Sequence, residues 1–562
     1  MTSQQTDVLI VGAGPVGIIT AIMFEKLGVK CTLIERRATL HLAPQAHIIS
    51  ARSMEICRML GIEDGPIRVQ GPEPLDTVSV RWVDQLAGRD LGVYSFIRDP
   101  DAVEKMFAST PTPVGQLSQD LFEAHLVKYL SDDTPILFEH KWTGMRAEGD
   151  GYVSTVERAD GSTHDIHARF VIGSDGAGSR VRSAIGAEME GPKFIQSYIN
   201  VHFHANMREL VKDREGVLYW IMDPDAYGCF IAHNIDKNWI FMKNLDVEQP
   251  PKEIDEAKYE GLLRKAIGAD VEIDIQSMST WVMSAQVANA YQKDGVFLVG
   301  DAAHRFPPTG GIGMNTGFQD AFNLTWKIAM VLKGRDPKLL DTYEPERRPS
   351  AVANSKQSHA NYLKMAEVDK TLDFDGDGVA TMADFDKVLA DPTRLAEVAE
   401  AVNNQAAHFS MGGLDLGVCY TSDAIVSDGP PPVSPNPISV YVPSTTPGTR
   451  LPHCWLNRGD ERISTVDLIE TDAFLVLSFK PQDHATQAAA AALKAGGYPV
   501  SHLTLSTDSD LQPDDDQFAN LFSPDEVLLV RPDGHIAARF AGSEAAQRLE
   551  QAIVQILGPA DV

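Results

Sequence analysis

The run GDAAHRFPPTGGIGMNTGFQDAFNLTWK, Gly300 to Lys327, decides how this 562-residue chain folds. It follows Gly295-Val-Phe-Leu-Val-Gly300, an apolar strand-like run ending at Asp301. It then crosses a loop dense in Pro and Gly and predicts a helix opening near Asn315. Its counterpart is Gly12-Ala-Gly-Pro-Val-Gly17, preceded by Asp7-Val-Leu-Ile-Val11, an apolar run suited to a buried parallel strand. Gly12 permits a tight turn, Gly14 lets the backbone approach a pyrophosphate, and Gly17 lets the next helix lie close on the strand. The helix predicted from Pro15 to Leu27 aims its first N–H groups at the phosphates. Glu35, closing a predicted strand over 30–34, can accept bonds from ribose hydroxyls. Two such devices in one chain imply one long dinucleotide held at both ends.

A third piece lies between them. Phe170-Val-Ile-Gly-Ser-Asp-Gly-Ala-Gly-Ser-Arg-Val-Arg182 reads as a strand ending at Asp175, with Arg182 placed to orient that carboxylate. Residues 113–130 predict a capped helix with Leu117, Leu121, Ala124 and His125 near one face, and 52–60 an amphipathic helix. Between 190 and 285 the rhythm changes to alternation in 197–204, 216–222, 228–233 and 239–242, which predicts an antiparallel sheet with one covered face. Residues 350–400 read as helical and polar, and 422–450 as a Pro/Ser/Thr-rich linker. The last 110 or so residues predict a βαβ–ββα unit whose hairpin turns at Pro532-Asp533-Gly534.

These pieces together resemble the single-component FAD-dependent aromatic hydroxylases, which have the para-hydroxybenzoate hydroxylase fold. The match is to the phenol hydroxylase-like subgroup with a C-terminal thioredoxin-like domain. Residues 44–61, PQAHIISARSMEICRMLG, match the segment that runs beside the flavin in that subgroup. Family members often carry Arg where this chain has Gln45, which leaves Arg52 as a candidate cationic partner.

The resemblance implies an α/β and α+β multidomain chain with a Rossmann-type FAD domain, an inserted antiparallel-sheet substrate domain and the C-terminal thioredoxin-like domain. The expected FAD domain comprises 1–75, 101–190 and 286–360, the last with a helical extension. The substrate domain takes 76–100 and 191–285, a helical segment and linker 361–450, and the thioredoxin-like domain 451–562. Non-covalent FAD is expected against Gly12, Gly14, Pro15, Gly17, Glu35, Arg36, Gln45, Arg52, Gln116, Asp175, Asp301, Pro308, Gly311, Gly313, Met314 and Asn315. Asp301 would take the ribityl chain, in a core separate from that of the C-terminal domain.

The implied reaction uses NADPH or NADH and O2 to hydroxylate a phenolic or related aromatic ring through a flavin hydroperoxide. His47 is the candidate base, with a buried packing role as its competing reading. Tyr219 and Tyr227 are the other catalytic candidates, and Trp220 and His233 further pocket candidates. The alternatives are a flavin oxidoreductase that inserts no oxygen, or a non-catalytic FAD-binding interaction protein. The chain lacks the Trp-x-Trp-x-Ile signature of a halogenase.

Composition narrows the setting. The net charge of −29 disfavours nucleic-acid binding, which needs a basic face. No apolar run approaches the ~18 residues that span a bilayer, and the polar N-terminus is not a signal peptide. Cys31, Cys57, Cys229, Cys419 and Cys454 show no paired spacing, which suits a reducing, cytoplasmic setting without a metal site. With no CxxC in the C-terminal domain, a structural or homodimer-contacting role is expected there. Asp373-Phe-Asp-Gly-Asp-Gly378 and Asp384 have the spacing of a calcium loop, but an acidic surface turn is the preferred reading.

Overall fold

Parallel strands form where the chain is apolar on both faces. In the computed structural model, Gln4–Val11 lies between Thr163–Gly173 and Cys31–Ile34, with Val296–Leu298 and Ile136–Leu137 outside them, all parallel. The structure describes residues 4–559 apart from 246, 252, 374–381, 481–482, 515–516 and 543, so the acidic Asp373–Asp384 motif falls largely outside the described residues. Val8, Leu9 and Ile10 are fully buried, and the Pro15–Lys26 helix follows at once. The turn between them requires glycine. Gly12 has φ +105°, and a Cβ there would sit 2.4 Å from the Ser174 carbonyl oxygen, while one on Gly17 would sit 1.9 Å from that of Gly12.

A second sheet has the order Asp274–Met283, Gln196–His204, Asn238–Leu245, Gly228–Asn234, Leu218–Ile221, Ser79–Val83, Asp90–Ser95. It is antiparallel except that Leu218–Ile221 runs parallel to Ser79–Val83, a departure from the all-antiparallel expectation. One face packs on the Glu256–Ile267 helix through Val201, Phe203, Tyr219, Phe230, Trp239, Leu263 and their neighbours. The other face carries Tyr198, Trp220, Cys229, Ile231, Ile240 and Met242 and meets Tyr362 from the long Tyr343–Thr371 helix.

The capped helix expected over 113–130 is shorter. Gly115–Gln116 pairs instead with Ile48–Ile49, and the helix starts only at Gln119 and ends at Leu126. Strand pairing overrides local helix preference there, and Leu121 is exposed.

The C-terminal sheet, Val500–Thr504, Phe474–Ser478, Glu526–Val530, Ile536–Ala541, packs a core of its own on one face, through Leu475, Leu477, Leu528 and Val530, but its other face is not separate from the rest of the chain. Val476, Leu529, Ala537 and Phe540 belong to the same apolar cluster as Val8, Ile18 and Phe318, and Trp326 meets Phe474 edge-on at 5.6 Å. Buried charges reinforce the join. Arg531 donates to both oxygens of Glu346 at 2.6 and 2.8 Å, and Lys327 reaches the same carboxylate at 2.8 Å. All three side chains are fully enclosed. Burial would raise Glu346, but Arg531 and Lys327 outweigh it and hold the carboxyl well below the usual range. Among the described residues no helix is long and apolar enough to cross a membrane.

Arg531→Met would leave Glu346 with Lys327 as its only cation, beside the neutral donors Asn323 and Ser422, and Asp533 without its guanidinium. The expected cost is ~3–5 kcal/mol. The shared core predicts that calorimetry of this variant shows one transition at lower temperature. A C-terminal transition separating from an unshifted remainder would contradict the shared core.

Candidate functional site

The first glycine loop leaves room for a ligand. A Cβ on Gly14 would meet no protein atom within 4 Å, so a partner can approach the backbone there. The helix opening at Pro15 carries no side-chain cap, and its first N–H groups are available to an anion. Glu35 is buried, with Oε2 accepting from the Ala13 N–H at 3.0 Å and Oε1 from the Arg37 N–H and Nε at 2.9 and 3.0 Å. Burial alone would raise its pKa, but these bonds from Arg37 and Ala13 lower it. Arg36 beside it is exposed.

The second device closes over the same region. Asp301 is accessible to solvent yet crowded by protein, and this burial raises its pKa against the pull of His304 and Arg305. The Gly313–Leu332 helix opens two residues before the expected Asn315, and no side chain caps it. Pro308 is exposed, and Gly311, Gly313 and Met314 are half-buried around its start. Asn315 is buried, and its side chain is occupied by protein. It accepts from Ser50 N–H at 2.9 Å and donates to the carbonyls of Ile48 at 3.0 Å and Gly311 at 2.7 Å. Asn315 therefore ties the glycine loop to the Ile48–Ile49 strand beside His47, and its side-chain bonds are made to protein. On the paired strand the amide oxygen of Gln116 is buried without a protein partner. An open glycine cradle, two uncapped helix starts and an orphaned amide oxygen fit a long dinucleotide such as FAD.

Three expected contacts are engaged by protein groups instead. Arg52 is buried, paired to Glu55 at 3.0 Å and donating to the Asp533 carbonyl at 2.6 Å, so it anchors the C-terminal hairpin and is not free for a phosphate. Gln45 is exposed and reaches His41 at 3.2 Å. Asp175 caps the Arg180–Ala184 helix by accepting from the Arg180 N–H at 2.7 Å. The guanidinium of Arg182 does not bond to Asp175 but to the carbonyls of Ala302 at 2.9 Å and Ala177 at 3.0 Å.

Sequence reasoning missed the node beneath the loop. Asp320 accepts from His304 at 2.8 Å, Arg347 at 2.8 Å and the Gly300 N–H at 3.2 Å, all sealed from water. The available signal was Asp320 as the one carboxylate in the 313–332 helix, which is otherwise mostly apolar or neutral.

On the substrate side, His47 meets His233 edge-to-face at 5.3 Å. Burial lowers His47 to about 4 and puts His233 well below the ordinary histidine value, with His47 and His202 adding to the latter shift. His233 is buried, and both its ring nitrogens lack a partner among the described residues. Strand parity separates the aromatic candidates. Tyr219 is fully buried against the Glu256–Ile267 helix and donates to the Arg214 carbonyl at 3.0 Å, so it lies on the opposite face from His233 and cannot act in the pocket. Trp220 and Tyr227 lie on the open side, and Tyr227 donates to Asp369 at 3.1 Å. Asp369, Tyr198 and Tyr362 complete that end and were not foreseen, because no local pattern places the 343–371 helix over the sheet. Among the described residues no group of His, Cys, Asp and Glu could hold a metal ion.

Comparison with known proteins agrees with this geometry. Residues 5–358 match a family described as FAD binding domain, and 444–560 one described as aromatic-ring hydroxylase, C-terminal. The chain is 32% identical to 2,4-dichlorophenol 6-monooxygenase of Cupriavidus pinatubonensis, over 99% of this chain and 96% of that protein. It is 31% identical to tetracenomycin A2 monooxygenase-dioxygenase of Streptomyces glaucescens, over 99% and 98%. The flavin-dependent monooxygenase PieE, solved with FAD and substrate, superposes with a TM-score of 0.91 at 28% identity, over 99% of this chain and 100% of that one. Aklavinone-11 hydroxylase with FAD and aklavinone gives 0.82 at 28% identity, over 99% and 100%.

Gly14→Val adds a side chain into space the protein itself leaves open. The variant should fold, with an unchanged far-UV spectrum of the apoprotein, yet lose most of its FAD. Full flavin content after gel filtration would remove the first loop from the cofactor site.

Proposed function

The chain belongs to the FAD-dependent aromatic-ring hydroxylases, and we propose that it hydroxylates a phenolic ring with His47 as base and NADPH or NADH as reductant. It is an FAD-dependent aromatic monooxygenase, which sets aside the non-inserting oxidoreductase and the non-catalytic binding protein. The observation that carries the proposal is the position of His47. It stands beside the strand that Asn315 ties to the glycine loop, and its ring makes no hydrogen bond among the described residues.

FAD bound between the Gly12–Gly17 loop and the start of the Gly313–Leu332 helix would supply the activation of O2 and transfer of one oxygen atom to the ring. The chain's own residues orient and deprotonate. Backbone N–H groups at Gly313 and Met314, at the positive end of the helix, favour negative charge on the group they face. Asp301 would hold the sugar-alcohol chain of that cofactor and Gln116 its ring system.

His47, neutral at pH 7 because burial depresses it, accepts the phenol proton. The imidazolium and phenolate so formed are adjacent and of opposite sign, so each offsets the cost of burying the other. The phenolate is the more electron-rich ring and accepts oxygen faster. The acidic composition and scattered thiols support a cytoplasmic enzyme, and the buried C-terminal join leaves the outer faces of that domain for a homodimer contact.

His47→Ala tests the base. A phenol has a pKa near ~10, so little phenolate exists at pH 7 without an acceptor. Loss of His47 should lower hydroxylation ~10²-fold while flavin reduction by NADPH changes little, with O2 diverted to H2O2. With its pKa near 4, His47 stays neutral from pH 6 to 9, so wild-type coupling should be flat there. The variant should recover as pH rises toward the phenol's own pKa. Product and H2O2 measured across that range decide it, and wild-type coupling in the variant would make His47 a packing residue.

A further inference from the structure

The open face of the seven-stranded sheet is polar at both ends and apolar between. At one end stand His47, His233 and His202, the last paired to Asn238 at 2.8 Å. The floor is Ile231, Ile240, Leu218 and Met242. At the other end Trp220 and Tyr227 pack against Val368 and Leu372, next to Asp369 on the long helix. Tyr227 donates to that carboxylate at 3.1 Å. The indole N–H of Trp220 is buried without an acceptor among the described residues, mirroring the orphaned nitrogens of His233 at the first end. Trp220 lies across from Cys229, four residues from His233 along one strand. At ~3.3 Å per residue the two ends are ~13 Å apart, longer than a single benzene ring.

We propose that Trp220, Tyr227 and Asp369 form a second polar subsite, which takes a hydroxyl on the far ring of a multi-ring aromatic substrate whose reacting phenol lies at His47. A hydroxyl suits this end because it both accepts and donates. Its oxygen takes the Trp220 N–H, and its proton goes to the Asp369 carboxylate. The neutral apolar floor between the ends takes the rings by their faces, while a single-ring phenol reaches only the histidine end. Tyr198, stacked on Trp281 at 4.7 Å, and Tyr362 wall the same end.

The inference rests on the phenolic reading of the site but is tested by binding, not by turnover. The holoenzyme is titrated, following the flavin spectrum, with phenol and with two three-ring quinones. Both quinones carry one hydroxyl on the first ring, and only one carries a second hydroxyl on the far ring. Wild-type protein should bind the far-hydroxyl compound about 10-fold or more tighter than its counterpart, and phenol more weakly than either. In Asp369→Asn and Trp220→Phe the ratio between the two quinones should collapse toward one, a comparison internal to each variant. Equal affinity for the quinones in the wild type, phenol as the tightest of the three, or a preference that survives both substitutions would each overturn the subsite. If the preference holds but no phenol is hydroxylated with NADPH and O2, the subsite stands and the reading of the reaction falls.

Discussion

Two carboxylates sealed from water, Asp320 and Glu346, must find cations, and the cations come from distant parts of the chain. Asp320 is paired with Arg347 and hydrogen-bonded to His304, and Glu346 is paired with Lys327 and Arg531. The first pair fixes the Gly300–His304 segment against the Gly313–Leu332 helix, which sets where Asp301 stands. The second pair draws the C-terminal hairpin onto the back of the same helix. Glu55 repeats the device one helix away, with Arg450 and Arg52 holding it near pKa 2 against its burial. Removing any one of these Arg or Lys cations strands a charge, so the cofactor loop, the long helix and the inner face of the C-terminal domain are energetically joined.

What was legible in the sequence was local. Gly12, Gly14 and Gly17 lie within one turn, and their roles follow from spacing. The βαβ unit, the alternating strands and the Pro532–Gly534 turn were visible for the same reason. Long-range pairing was not. Arg52 read as a free cation because its partner carbonyl at Asp533 is 481 positions away. Asn315 read as a ligand because its acceptors near Ile48 belong to another element. The helix expected from 113 lost its first turn to Ile48–Ile49, a pairing with no local signature. Adjacent tyrosine and tryptophan at 219 and 220 could not be told apart until the Glu256–Ile267 helix showed which face was covered.

The site follows from those constraints. Asn315 clamps the strand beside His47 to the glycine loop, so the base and the start of the cofactor helix keep a fixed relation. Burial keeps both histidines neutral and free to take a proton, and the phenolate formed beside His47 must then hold the imidazolium against that burial. The covered face of the sheet supplies rigidity through packed aromatics such as Phe230 and Trp239, ring centroids 6.2 Å apart. The open face is left to recognise the ring. Stability and specificity thus alternate residue by residue along the same strands.

The central claim is that one atom of O2 enters an aromatic ring held at His47. The direct measurement is turnover of a phenolic substrate with NADPH under 18O2, with product analysed by mass spectrometry. The account predicts a hydroxylated product in which the new oxygen comes from O2, and none from labelled water. NADPH oxidation with all the label recovered as H2O2, whatever the aromatic compound supplied, would contradict it.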